Sequence, residues 1–237
     1  MTAITTPFGF SSTAADVVDG TDLTGRRAVV TGASSGLGAK TARALAATGA
    51  EVTLAVRDLT AGERVAKDIA ATTGNQLHIL VNNACVMACP EQYTAQGREW
   101  QFATNHLGHF ALATGLHGAL AADGSARVVV VSSTGHQQSP VVWHDIDFAF
   151  RPYDPWLAYG QSKTANALMP GAIYTNLQRH TCGRGSGKVP AELIKTVETG
   201  TVDRRSGTLH GVAPYAVDPD NARRLWTLSE ELLAEAA

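Results

Sequence analysis

Arg26–Gly49 reads RRAVVTGASSGLGAKTARALAATG, and its rhythm changes twice. Arg26–Thr31 is a short β-branched run, the pattern of a buried strand. A glycine-rich turn, GASSGLG, follows. Then Leu37, Ala42, Leu45 and Ala46 recur at helical spacing, and Gly49 stands where a helix would stop. Strand, glycine turn and helix in direct succession make one unit of a parallel sheet covered by helices.

The same alternation continues outward. Glu51–Val56 reads as a second strand, Thr60–Ala71 as a helix ended near Gly74, and Leu77–Val81 as a third strand. Gly97–Ala122 contains a long helix, and Ala126–Val131 is a fourth strand. A loop rich in Pro, Asp and aromatic residues spans Gly135–Leu157, and Tyr159–Leu168 is a short helix. Asp218-Pro219 is an N-cap and first-turn pair, after which Leu225, Trp226, Leu228, Leu232 and Leu233 give an amphipathic last helix. Residues 1–24 read as an irregular arm and 25–237 as one domain. Alternating strands and helices predict an α/β fold with a doubly wound parallel sheet in three layers, α/β/α. Sites on such sheets form at the carboxyl ends of strands. The informative residues fall there: Gly32, Arg57, Asn82 and Ser132.

Composition narrows the classes. The chain has 237 residues, 44% hydrophobic and 17% charged, ordinary for a globular domain. A net charge of −2 without a long basic run argues against nucleic acid as the main partner. No apolar stretch approaches the roughly 18 residues of a membrane span. The N-terminal stretch lacks the charged and apolar regions of a signal peptide, so a cytoplasmic location is expected. Cys85, Cys89 and Cys182 are an odd count and do not read as a disulfide framework. Cys85-x-x-x-Cys89 has no second ligand pair at zinc-like spacing, and no metal is expected.

Thr31–Gly38, TGASSGLG, carries the first chemistry. Gly32 and Gly36 can adopt backbone angles closed to other residues, and without side chains they let a pyrophosphate approach. The helix behind them offers free N–H groups. Gly38 permits close helix–sheet packing. After the second strand, Arg57 suits the 2′-phosphate of NADP(H) through charge-assisted hydrogen bonds. The adjacent Asp58 leaves NAD(H) open. Tyr159 and Lys163, at i and i+4, share one helix face. A tyrosine of pKa about 10 is a poor proton carrier at neutral pH unless a nearby ammonium favours its phenolate.

The ordered set TGASSGLG, NNAC, TNHLGHF, VVVVSS, YGQSK and PGAIYT resembles the short-chain dehydrogenase/reductase family. The loop and helix around HDIDFAFRPYDPWLAYGQSKTAN are most similar to its retinol-dehydrogenase-like and related bacterial branch. The resemblance implies a Rossmann-type fold and hydride transfer between a nicotinamide cofactor and a small alcohol or carbonyl substrate. Tyr159 would be the general acid/base and Lys163 its activator, and both would also contact the cofactor, Lys163 at its ribose hydroxyls. Ser133 would hydrogen-bond the substrate oxygen in preference to Ser132. Asn105 would kink its helix and hold a water of a proton relay. Thr31, Gly32, Ser34, Ser35, Gly36, Leu37 and Gly38 would hold the cofactor from the first turn, and Asn83 and Ala84 would line its cleft. Pro170, Gly171 and Thr175 would grip the nicotinamide end, Thr175 at its carboxamide. His106 and His109 read as packing residues. A homo-oligomer is compatible with the resemblance.

The chain departs from the family pattern in two ways. Cys85 stands where NNAG has its glycine. Several elements also lack room. Arg57–Leu77 holds one helix where the family has a further strand and helix. Lys163–Pro170 is too short for the rest of a long helix plus a strand. KTVETGTVDRRSG skips a helix and the last core strand. Four clear strands are therefore expected. The competing reading is a non-catalytic nucleotide-binding protein or an inactive remnant of the family.

Overall fold

The computed structural model describes residues 7–9, 11–33, 36–55, 77–172 and 212–235. Among them four strands form one parallel sheet: β1 (Arg27–Thr31), β2 (Glu51–Ala55), β3 (Ile79–Asn82) and β4 (Arg127–Val130). Their order is β2-β1-β3-β4. Val29 lies opposite Thr53 on one side and Leu80 on the other, and Leu80 lies opposite Val128. The chain thus leaves β1 toward β2 and returns on β1's other side as β3. That reversal opens a crevice beyond the carboxyl ends of β1 and β3, the place where doubly wound sheets bind ligands.

Burial explains the layers. Successive strand residues face opposite sides. Val29 packs with Leu77, Leu80, Phe110, Leu116, Leu120 and Met169 on one side. Its neighbour Val30 packs with Ala33, Ala42 and Val81 on the other. The first side is covered by helices α4 (Gly108–Gly115), α5 (His117–Asp123) and α6 (Pro155–Ala172). The second is covered by α2 (Gly36–Ala47). The final helix, α7 (Pro219–Ala234), is capped by Asp218, whose side chain accepts from the N–H groups of Asp220 and Asn221. Leu225 and Leu232 lie in a cluster with Phe102, Ile146 and Leu168, and Trp226 meets Phe110 edge-on at 4.8 Å.

Three elements differ from the sequence reading. The arm contains a short helix, α1 (Ala14–Val18), set by a capping box between Thr13 and Asp16. The helix expected within Gly97–Ala122 is broken into α3 (Trp100–Phe102), a π-helical segment (Ala103–Leu107), α4 and α5. The break falls at Asn105, where the resemblance placed a kink. The helix at Tyr159 is longer than expected. Asp154 caps it by accepting from Trp156 and Leu157 N–H at 2.8 and 2.9 Å, and it runs on through Pro170 and Gly171. Those two residues therefore lie in the last turn of α6 and form no separate turn. The helix expected at Thr60–Ala71 lies outside the described residues.

Candidate active site

The glycine turn shows three fitted positions. Gly32 has φ +65°, and a Cβ there would lie 2.7 Å from the Ala84 Cα. Gly38 would place a Cβ 2.6 Å from the Asn83 amide nitrogen. A side chain at Gly32 would displace the Ala84 backbone, and one at Gly38 would meet the Gly32 carbonyl and the Asn83 side-chain amide. Gly36, at φ +54°, begins α2 and has nothing within 4 Å of its would-be Cβ. Close packing behind and open space in front of a helix N-terminus suit the pyrophosphate of a dinucleotide. Leu37 follows, 73% exposed on that first turn. Ser34, Ser35, Arg57 and Thr175 lie outside the described residues.

Thr31, at the end of β1, is the hub of the crevice. Its Oγ1 accepts from the backbone N–H groups of Asn83 and Ala84 at 2.8 and 2.9 Å. The Asn83 amide donates back to the Thr31 carbonyl at 3.0 Å. Asn105 holds the next stretch of the same loop. Its Oδ1 accepts from Val86 N–H at 2.8 Å, and its Nδ2 donates to the Val86 carbonyl at 2.9 Å. The same Nδ2 donates to Ser162 Oγ at 2.9 Å, which ties the loop to α6. At the π segment, Gly108 N–H bonds the carbonyl of Ala103, five residues back.

Tyr159 and Lys163 are buried on α6, 6% and 2% exposed. The Tyr159 hydroxyl is within electrostatic reach of Ser133 and Cys85. Lys163 also meets the Cys85 thiol. Its Nζ donates to the Val131 carbonyl at 3.1 Å and stands 5.7 Å from the Tyr159 ring centre. Ser132 takes a different role, donating to the Lys163 carbonyl at 2.7 Å. The structure therefore brings Asn105, Ser133, Tyr159 and Lys163 together at the carboxyl ends of β3 and β4.

Electrostatics differ from expectation. Burial pushes the Tyr159 hydroxyl above its ordinary value; the Ser133 hydrogen bond lowers it and Cys85 raises it further. Lys163 is not among the groups that lower it, and the Lys163 Nζ donates to the Val131 carbonyl. Burial lowers the Lys163 ammonium, with Cys85 opposing. Burial likewise lowers His109 to about 4 and His106 to about 3, so both are neutral near pH 7.

Two site features escaped the sequence reading. Gly135 would place a Cβ 2.6 Å from Tyr159 Cε1, so the ring lies directly on this backbone. His136 pins the Ser133 segment to the C-terminal part of the chain, accepting from Ala213 N–H at 3.1 Å while its carbonyl accepts from the Tyr215 hydroxyl at 2.8 Å. The spacing Ser133-x-Gly135 was visible, but its contact with Tyr159 is tertiary. Cys85 was singled out as a departure, but not its place beside Tyr159 and Lys163.

Sheet order, switch-point crevice and glycine turn define a Rossmann-type α/β domain. Comparison with known proteins sharpens that class. A family profile described as short chain dehydrogenase matches residues 26–78. A "Probable oxidoreductase" of Streptomyces antibioticus is 41% identical over 297 aligned positions, covering 91% of this chain and all of that protein. Human "Retinol dehydrogenase 11" is 37% identical over 204 positions, covering 73% of this chain and 64% of that one. A crystal structure of an uncharacterized protein from Mycobacterium Paratuberculosis matches with a TM-score of 0.67 at 33% identity, covering 94% of this chain and 97% of that one. The chain belongs to the short-chain dehydrogenase/reductase family, in its retinol-dehydrogenase-like branch, and is an oxidoreductase of that family. The Streptomyces alignment, at 297 positions, is longer than this chain of 237 residues, so that relative has segments without a counterpart here. Among the described residues no helix is long and apolar enough to cross a membrane.

Proposed function

We propose that the protein is an NADP(H)-dependent oxidoreductase that interconverts an alcohol and a ketone or aldehyde, with Tyr159 as general acid/base. The carrying observation is the cluster itself: Ser133 reaches the Tyr159 hydroxyl while Lys163 lies buried on the same face of α6. The glycine turn, with Asn83 and Ala84, would hold the dinucleotide. Arg57 supports NADP(H) over NAD(H) from its place after β2 in the sequence. The nicotinamide supplies the hydride donor or acceptor when bound.

The chain's own residues do the rest. Ser133 donates to the substrate oxygen and fixes it beside Tyr159. Tyr159 transfers the proton to or from that oxygen. Burial raises its pKa, and the phenol is protonated at neutral pH, the form that donates to a substrate oxygen. Lys163 stabilises the phenolate left behind through the charge of its nearby ammonium. The Asn105 amide is taken by Val86 and Ser162 and its carbonyl by His109, so Asn105 acts by tying the loop to α6.

Cys85 favours a second reading. Its exposed thiol acts electrostatically on both Tyr159 and Lys163, and a nucleotide-binding protein without turnover would tolerate that. NADPH and NADH oxidation with a panel of aldehydes, ketones and retinoids decides between them. The proposal expects turnover faster with NADPH than with NADH. Thermal stabilisation by NADPH with no turnover on any substrate would select the second reading.

A further inference from the structure

We propose that His109 is a positioning residue for the dinucleotide, joining the two clamps that hold the Asn83–Val86 loop. The inference rests on the cofactor reading above. His109 is 4% exposed, and its Nδ1 lies 2.9 Å from the Asn105 carbonyl oxygen. A carbonyl only accepts, so Nδ1 carries the hydrogen. A neutral imidazole has one such hydrogen, which leaves Nε2 as an acceptor. Thr31 Oγ1 is 3.0 Å from Nε2 and donates to it. The alternative acceptor for that hydroxyl, the Val81 carbonyl, is farther at 3.4 Å.

The arrangement is closed. Thr31 Oγ1 has one hydrogen and two lone pairs, and the lone pairs are filled by the N–H groups of Asn83 and Ala84. A hydrogen on His109 Nε2 would find no acceptor at Thr31, so the network admits only the Nδ1–H form. One clamp of the loop is Thr31, which sets Asn83 and Ala84 against Gly32 and Gly38. The other is Asn105, which holds Val86 through both backbone groups. His109 bonds both, to the side chain of the first and the carbonyl of the second. Loss of the imidazole would free Thr31 to rotate toward Val81 and loosen the wall of the glycine cradle. It would leave Tyr159 and Lys163 on α6 in place.

The test compares His109→Phe, which removes both bonds at similar size, with His109→Gln, which keeps an acceptor for Thr31. NADPH dissociation constants are measured by fluorescence titration, alongside thermal melts and ¹⁵N spectra of the histidine tautomer. The expected result is an Nδ1–H signature for His109, a loss of NADPH affinity of about tenfold in His109→Phe, and recovery of most of it in His109→Gln. Turnover at saturating NADPH should change much less than affinity. A cooperatively folded His109→Phe that binds NADPH as the wild type does, or an Nε2–H signature, overturns the inference. If His109→Phe does not fold, His109→Ala against His109→Gln decides: loss of affinity in the first only supports the tie, and equal affinity refutes it. Wild-type protein that binds neither NADPH nor NADH defeats the cofactor reading, and the inference with it. Normal wild-type binding with unaltered variants defeats the inference alone.

Discussion

The two sides of the crevice are built differently. On the cofactor side, Thr31, Asn83, Ala84, Asn105 and His109 form a closed set of hydrogen bonds around backbone that glycines allow to approach closely. On the side proposed for proton transfer, Tyr159 and Lys163 are buried with their pKa values moved by desolvation, and Lys163 donates to a backbone carbonyl. The first side is prebuilt. The second holds two titratable groups out of water, and desolvation opposes the charged form of each. Binding and chemistry should therefore separate on mutation.

The sharpest separation is expected from Tyr159→Phe. Turnover should fall by about a hundredfold or more. NADPH affinity should change by less than about threefold, since the cofactor side is untouched. Parallel steady-state kinetics and cofactor titrations read both numbers.

Acid should attack the cofactor side through stability. His106 and His109 are buried neutral, with folded pKa values of about 3 and about 4, below the unfolded value near 6.5. Their contribution is complete above pH 6.5 and is lost as pH falls toward the folded values. At pH 5 the loss is about 2 kcal/mol for each histidine. Glu99 works the other way, because burial raises its carboxyl and stability falls as pH rises through that value. The net loss between pH 7.5 and pH 5 should therefore be smaller than about 4 kcal/mol but still a fall, measured by urea unfolding. His106→Gln should flatten the profile.

A smaller effect is expected from Gly135→Ala. The new methyl would press on the Tyr159 ring, at a cost of about 1–3 kcal/mol in stability. Displacement of the hydroxyl from Ser133 should lower turnover by about tenfold, with NADPH affinity kept. A variant that loses affinity and keeps turnover would invert the comparison of the two sides.

Much of this architecture was legible in the sequence because its signals are local. The four strands are β-branched runs within a residue or two of their observed ends, and the glycine turn sits where strand and helix rhythms meet. Asp218-Pro219 marked the start of α7. The rest depends on contacts between distant residues. Nothing in ATNHL announces a π-helical segment, and the bonds from Asn105 to Val86 and Ser162 are tertiary. Pro170-Gly171 suggested a break, but the helix begun at Pro155 carries through its last turn. Edge strands tell the same story: Val129 on β4 and Leu54 on β2 are 47% and 50% exposed, while β1 and β3 are buried.

The central claim is that this shortened chain keeps a working cofactor side. Titration of the folded wild-type protein with NADPH, read by quenching of tryptophan fluorescence, tests it most directly. The account predicts saturation at one NADPH per chain and a higher unfolding temperature in the saturated protein. A flat titration on a protein that unfolds cooperatively would contradict it.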